Sequence, residues 1–420
     1  MRFARPWAPC RRPAGLPRSA RDGTLVLDAA RGNGMARETE LLIVGAGPFG
    51  LALAAEAGAL GIPHLVLGEP MGFWHRHMPA GMILRSACDW HLDPAGEHTI
   101  ERFLEEQGLT PADVEPLRLD FYLRYAGWFA GRKGIAPAPG MVAALGRLQD
   151  GRFRARLEDG GAIEARAVAL APGFRHFANV PADLAELLPA GRFSHTCEAV
   201  DLAALRGRRC LIVGGRQSAF EWAALLAEAG AASVHVSHRH PSPAFAAADW
   251  SWVGPLVDRM LDEPGWFREL PVAEQEALGK RLWTEGRAKV EPWLETRVVR
   301  DGVTLLPDTR VVSCGQTPDG AMEVGFDDGR SVTVDHVILA TGYKVDMARI
   351  PMLAAGNLLE EMEMAAGFPV LDHHFQTSVP GLFVTSIPAT RDFGPFFAFT
   401  ISVRTSARLI GRGLAARAAA

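Results

Sequence analysis

Two glycine turns carry the residues whose types and spacing suggest chemistry. The first is Glu40-Leu-Leu-Ile-Val-Gly-Ala-Gly-Pro-Phe-Gly50. Gly45, Gly47 and Gly50 stand at G-x-G-x-x-G spacing, with Pro48 and Phe49 between the second and third. The first glycine permits a tight strand-to-helix turn. The second lets the backbone approach a pyrophosphate, and the third lets the helix pack close to the strand. Phosphates then sit at a helix N-terminus, where free N–H groups and the helix dipole favour negative charge. About twenty residues further on, where an acidic side chain binds a ribose hydroxyl pair, stands Glu69. The second turn, Leu211-Ile-Val-Gly-Gly-Arg-Gln-Ser-Ala219, has Gly214 and Gly215, but Arg216 occupies the place of the second fingerprint glycine. Beyond its second strand comes Ser237-His-Arg-His240, basic where the first unit is acidic. Arg239 there suits a 2′-phosphate, so NADPH is favoured over NADH. Arg216 has room to clamp a pyrophosphate or to point away.

These residues need strands and helices to place them. Leu41–Val44 reads as a strand buried on both faces, followed by an Ala/Leu-rich helix over 51–60 and a strand over 64–67. Residues 70–91 are too irregular for a helix and too aromatic for an idle loop. They are read as a segment wrapping a cofactor, with Trp74 and Arg85 as contacts. A helix-rich stretch follows over 99–131, where Tyr122 and Tyr125 read as core. Ala167-Val-Ala-Leu-Ala-Pro-Gly173 and Val337-Ile-Leu-Ala-Thr-Gly-Tyr343 are near-repeats, each preceded by an Asp-Gly hairpin. They bracket an insertion in which the chain leaves a first domain near Gly173 and returns near Val337. Five tryptophans among helix formers mark a helical excursion over about 249–297, a cover for the cleft or a dimer contact. A strand over 382–385 leads to a helix over 397–414. Residues 1–37, rich in Arg and Pro in their first 34 positions, read as a disordered or mis-annotated N-terminal extension, with Met35 a candidate start.

Composition narrows the function classes. The chain has 420 residues, is 48% hydrophobic and carries a formal charge of -4. That allows two or three domains and gives no general pull toward nucleic acid. No apolar run approaches the length of a membrane span. The five cysteines form no C-x-x-C and no zinc spacing, so a reduced cytoplasmic protein without a metal site is expected. A homodimer is the default assembly.

Taken together, the first turn, Glu69, the second turn with Gln217, Ser218 and Ala219, the Ala340-Thr341-Gly342 phrase and the Pro380-Gly381-Leu382-Phe383 strand resemble the flavoproteins with two dinucleotide-binding domains. The likeness covers about residues 38–415 and is greatest to the class B, N-hydroxylating and Baeyer–Villiger-like, FAD-dependent NAD(P)H monooxygenases. Gly191 and His195 match the Gly and His of their F-x-G-x-x-x-H fingerprint. The resemblance implies an α/β fold. A Rossmann-like, three-layer ββα FAD domain (38–173 and 337–420) would carry an inserted Rossmann-like NAD(P)H domain (174–336). It implies FAD and NADPH as cofactors, with Thr341 and Gly342 among their contacts. A small organic substrate would take one atom of O2 through a flavin C4a-(hydro)peroxide. The cofactor carries such chemistry, so no catalytic side chain is named. Two other readings stay open: a reductase passing electrons to a small acceptor without protein dithiols, and a non-catalytic redox sensor.

Overall fold

The strand Arg37–Val44 buries Leu41, Leu42 and Ile43 completely, and this sets the centre of the first sheet. It starts four residues earlier than its apolar core because Arg37, Glu38 and Thr39 already pair with Ile163, Glu164 and Ala165. These features belong to a computed structural model, which describes residues 36–198 and 200–419. Met35 and nearly all of the expected N-terminal extension lie outside the described residues.

In the first sheet, His64–Leu67 and Ala162–Leu170 flank Arg37–Val44, both parallel to it. The long strand Ala162–Leu170 has two partners on its other side. Its first half pairs antiparallel with Phe153–Leu157, itself in a hairpin with Val142–Arg147. Its last residues, Val168–Leu170, pair in parallel with Leu382–Val384 from near the chain's end. Four parallel strands therefore end side by side, in the order 64–67, 37–44, 162–170, 382–384. Helices Pro48–Ala59 and Val403–Ala419 pack against each other beside this sheet. The second of these is preceded by short 3-10 turns, so the expected helix over 397–414 begins six residues late.

The second sheet is parallel throughout: Phe193–His195, His336–Leu339, Arg209–Val213, Ser233–His238 and Val303–Pro307. An antiparallel three-stranded sheet (Val311–Gln316, Met322–Phe326, Ser331–Val334) stands beside it. The return of the chain at Val337 is thus corrected. His336–Leu339 lies between two strands of the second sheet, and the first sheet is rejoined only at Leu382. Val337, Ile338 and Leu339 are as fully buried as Val168, Ala169 and Leu170. A strand covered on both faces has one signature whichever sheet it enters, so the near-repeat could not say which sheet it joined.

Within 249–297 the chain is helical in pieces: Val253–Arg259, Trp266–Glu269, Val272–Arg281, a π-helical turn Leu282–Arg287 and Glu295–Val298. Tyr122 and Tyr125 are core residues with no exposed surface.

Candidate functional site

A cavity of about 650 Å³ opens along the carboxyl ends of the first sheet's parallel strands, within the size range of small-molecule and cofactor clefts. Glu69 lines it beyond strand 64–67, Gly45 and Gly47 beyond 37–44, Pro172 and Gly173 beyond 162–170, and Ser386 beyond 382–384. With neighbouring strands roughly 4.8 Å apart, these four ends span about 14 Å. This is where ligands sit in open α/β sheets.

The glycine turn is built for close approach. Gly45 has φ +114°, and a Cβ on it would lie 2.3 Å from the Ala171 carbonyl oxygen. A Cβ on Gly50 would lie 1.8 Å from the Gly45 oxygen, so the helix starts flush against the turn. Gly47 is different. Its φ of -82° suits any residue, and nothing lies within 4 Å of where its Cβ would be. The space it leaves is cavity. Pro48 begins the helix at a position whose N–H is not needed. Among the described residues, the N–H groups of Ala46 and Gly47 meet no backbone carbonyl. Free donors, a helix N-terminus and a Cβ-sized opening fit a pyrophosphate. Pro48 and Phe49 also line the cavity.

At the far wall, Glu69 pairs with Arg76 at 2.7 Å, both partly exposed. Arg76 reaches it from a short helix, Gly72–Arg76. That corrects the expectation that 70–91 holds no helix. The turn is only five residues long, too short to show a periodic stripe. Trp74 lines the cavity and stacks on Tyr122, with ring centroids 4.9 Å apart. Arg85 does not line it. Its Nε donates to Glu291 Oε1 at 2.7 Å and its Nη2 to the Gly286 carbonyl at 3.0 Å. Its guanidinium also stands 5.2 Å from the Trp250 ring centroid. The segment after Glu69 therefore wraps the cavity as far as His77 and is then tied to the helical excursion.

The second turn repeats the first with one change. Gly214 has φ +147°, and a Cβ there would lie 2.4 Å from the Ala340 oxygen. Gly215 faces His238 and His240, which leave no room for a Cβ. Arg216 caps helix Gln217–Glu228 in extended backbone, which needs no glycine. Its guanidinium lies 4.3 Å from the Trp283 ring centroid. Gln217 accepts from the Glu291 N–H through Oε1, and Ser218 is exposed at the helix start. Burial holds the His238 pKa below its ordinary value, so the imidazole is neutral at pH 7. The positive charge beyond strand 233–238 therefore rests on the exposed Arg239 rather than on His238. Thr341 and Gly342 contact protein, not the cavity. Thr341 Oγ1 donates to the Asn179 carbonyl, and the Gly342 carbonyl accepts from His195 Nε2 at 2.9 Å. His195 is fully buried, and burial lowers its pKa. Its geometry is that of a neutral structural histidine.

Sequence reasoning missed two groups. Ala398 and Thr400 close the cavity from the C-terminal segment, alongside Ser386. Their signal was the glycine- and aromatic-rich run after strand 382–384. Glu221, a lone acid within an Ala/Leu helix, is 2% exposed and accepts from the Ile83 N–H at 2.6 Å. Burial pushes its pKa up to about 8.

Two sheets, each with a glycine turn feeding a helix, form the architecture of a protein that holds two nucleotides. Residues 42–265 match the pyridine nucleotide-disulphide oxidoreductase family, residues 272–385 match a second profile of that description, and the chain belongs to this family. It is 28% identical over 327 residues to the indole-3-pyruvate monooxygenase YUCCA1 of Oryza sativa subsp. japonica, covering 72% of this chain and 76% of the relative. It is 26% identical over 218 residues to a ferredoxin–NADP reductase of Paraburkholderia phymatum, 51% of this chain and 54% of the relative. Among solved structures, the ornithine N-hydroxylase of Kutzneria sp. 744 superposes with a TM-score of 0.74 at 16% identity, covering 91% of this chain and all of that one.

Proposed function

We propose that the protein is a FAD-dependent, NADPH-using monooxygenase that places one atom of O2 into a small organic molecule. The observation that carries the nucleotide reading is the Gly47 opening, a Cβ-sized space bordered by free N–H groups at the head of a helix. The monooxygenase reading is supported by the likeness to YUCCA1 across three quarters of that enzyme's length. The shared fold with an ornithine N-hydroxylase agrees with it. FAD would be held along the four strand ends, with Gly45, Gly47 and Gly50 at its pyrophosphate and Glu69 at its ribose, and NADPH would be held by the second turn at Gly214–Ser218, with Arg239 for the 2′-phosphate. Bound FAD would supply hydride acceptance and oxygen activation. The protein's own residues bind it, orient it and exclude water, with Trp74 on Tyr122 and Phe49 forming dry walls. The FAD unit would comprise residue 38 to about 173 together with the segment after about 340, and the NADPH unit what lies between. Among the described residues no helix is long and apolar enough to cross a membrane. A cytoplasmic setting fits the cysteines, of which Cys88, Cys197 and Cys210 are free and buried.

The ferredoxin–NADP reductase likeness favours a second reading, electron transfer to an acceptor with no oxygen insertion. One experiment separates them. Flavin-loaded protein is reduced anaerobically with NADPH or NADH, then given ¹⁸O2 and candidate substrates. The proposal expects faster bleaching by NADPH and one ¹⁸O atom in a product. Rapid reoxidation by ferredoxin or quinone with no labelled product would establish the reductase instead.

A further inference from the structure

A second cavity, of about 360 Å³, lies between segment 91–96, helix Val253–Arg259 and helix Val403–Ala419. It shares no lining residue with the larger cavity at the strand ends. Arg404, Thr405 and Arg408 line it from the long helix. Residues four apart on a helix are neighbours, so Arg404 and Arg408 bring two like charges to one face, a repulsive arrangement. Arg404 also falls in the first turn of a helix that has no acidic residue there. A cation at that end opposes the helix dipole, which favours negative charge. An anion in the cavity would offset both costs.

The wall formed by segment 91–96 holds a donor without an acceptor. His91 lines the cavity, is 7% exposed, and has its Nε2 2.5 Å from Arg404 Nη1. A guanidinium only donates, so Nε2 accepts. Burial and the Arg404 charge hold the His91 pKa down at about 4. The ring is therefore neutral at pH 7 and carries its one proton on Nδ1. That buried N–H has no partner among the described residues, although buried donors are normally paired. The nearby carboxylates do not supply the missing charge. Asp93 is fully buried and already taken, by the N–H groups of Ala95, Glu97 and His98 and by Lys133 Nζ at 3.1 Å. Asp89 lies in the field of Arg404 and Glu56 in that of Arg408, but desolvation raises both carboxyl pKa values. Asp258, exposed on the facing helix, lines the cavity. Among the described residues, none of these carboxylates reaches ion-pair distance of Arg404 or Arg408.

We propose that this cavity binds a small phosphate dianion, held by Arg404 and Arg408 with the His91 Nδ1–H and the Thr405 hydroxyl as neutral donors. The planar fork of a guanidinium matches phosphate oxygens two at a time. Two cations against the single exposed carboxylate of Asp258 suit a dianion better than a monoanion. The cavity stands near the lower end of the size range of ligand clefts, so the phosphate is that of the free ion or of a small monoester. Once bound, it would join the C-terminal helix, the start of the helical excursion and the segment that follows the wrapping loop. The inference is independent of the monooxygenase reading.

The test is isothermal titration calorimetry of the full-length, flavin-loaded protein with inorganic phosphate, the ionic strength held constant with chloride. Wild type, R408Q and D258N are compared. Arg408 and Asp258 are both exposed, so neither substitution disturbs the core, and equal Tm values in chloride check this. The expected result is saturable binding to wild type with a Kd of about 1 mM or below. R408Q should weaken it at least tenfold, about 1.4 kcal/mol, and D258N, which removes a like charge, should tighten it at least twofold. Saturating NADP+ added beforehand should leave the phosphate Kd unchanged. Glycerol 3-phosphate, titrated in parallel, tells the two sources apart. Tighter binding than phosphate marks a monoester as the ligand, and weaker binding marks the free ion. No saturable binding to wild type overturns the proposal. So does binding that R408Q and D258N leave unchanged, which puts the phosphate elsewhere. Loss of phosphate binding in the presence of NADP+ also overturns it, because the ion would then occupy the dinucleotide's own site.

Discussion

Gly47→Ala separates a clash with ligand from a clash with protein. Gly47 has φ -82° and ψ -170°, backbone that alanine adopts without strain, and no atom lies within 4 Å of its Cβ position. The substitution should therefore leave the flavin-free protein as stable as before. It should even gain about 0.4–1 kcal/mol from the smaller entropy of the unfolded chain. With FAD, the new methyl occupies the space in which the pyrophosphate must lie. Overfilling a packed contact costs about 1–3 kcal/mol, which is about a five- to 150-fold weaker Kd. Gly50→Ala is the control of opposite kind. Its Cβ would fall 1.8 Å from the Gly45 oxygen, so helix and turn must part with or without ligand. Alanine's better helix propensity, about 1 kcal/mol, cannot undo an overlap with backbone. Thermal unfolding of flavin-free protein and quenching of FAD fluorescence read the two effects apart. Gly47→Ala should keep its Tm and lose affinity, while Gly50→Ala should lose both. If Gly47→Ala binds FAD as wild type does, the pyrophosphate does not lie against this turn and the placement of the cofactor is wrong.

Other perturbations test separate parts of the structure. Arg239→Ala should raise the KM for NADPH about ten- to a hundredfold, the worth of one or two charge-assisted hydrogen bonds, and leave the KM for NADH unchanged. Equal losses for both nucleotides would place the 2′-phosphate elsewhere. Glu221 has a folded pKa near 8 against an ordinary 4.5. The folded state holds its proton while the unfolded state loses it, so this group lowers stability as pH rises from about 4.5 to about 8. Glu221→Gln keeps an oxygen to accept from the Ile83 N–H and should flatten the decline of Tm between pH 5 and 8; an unchanged slope would refute the buried protonated acid. Ser386 lines the cavity at φ +70°, ψ -151°, a region that only glycine occupies without strain. Ser386→Gly should stabilise the protein by about 1 kcal/mol, read by denaturant unfolding, and a loss would show that the hydroxyl outweighs the strain.

The first turn was readable because its requirements are local. Gly45, Gly47, Gly50 and Glu69 lie within one strand–helix–strand unit; short-range sterics dictate Gly45 and Gly50, and spacing along that unit marks Gly47 and Glu69. The second turn was readable for the same reason, and Arg216 proves compatible because its backbone is extended. What escaped was long-range. Arg85 meets a carboxylate on Glu291, 206 residues away, and no local pattern announces such a pair. Val337–Leu339 has the composition of Val168–Leu170, and only its neighbours decide its sheet. Glu221 likewise accepts from the Ile83 N–H, 138 residues away, a pairing that the order of the chain does not reveal.

The strand Leu382–Val384 completes the first sheet more than two hundred residues after Leu170 has left the same sheet. Ser386, Ala398 and Thr400, which close the cavity, follow it. Synthesis runs from the N-terminus at about 5–20 residues per second, so the glycine turn leaves the ribosome well before the C-terminal side of the cavity exists. Cofactor capture therefore comes last in the protein's biogenesis. A nascent chain halted at residue 340 should present both glycine turns and retain no flavin. A chain released at full length should take it up, so flavin supply would act on finished molecules rather than on growing ones.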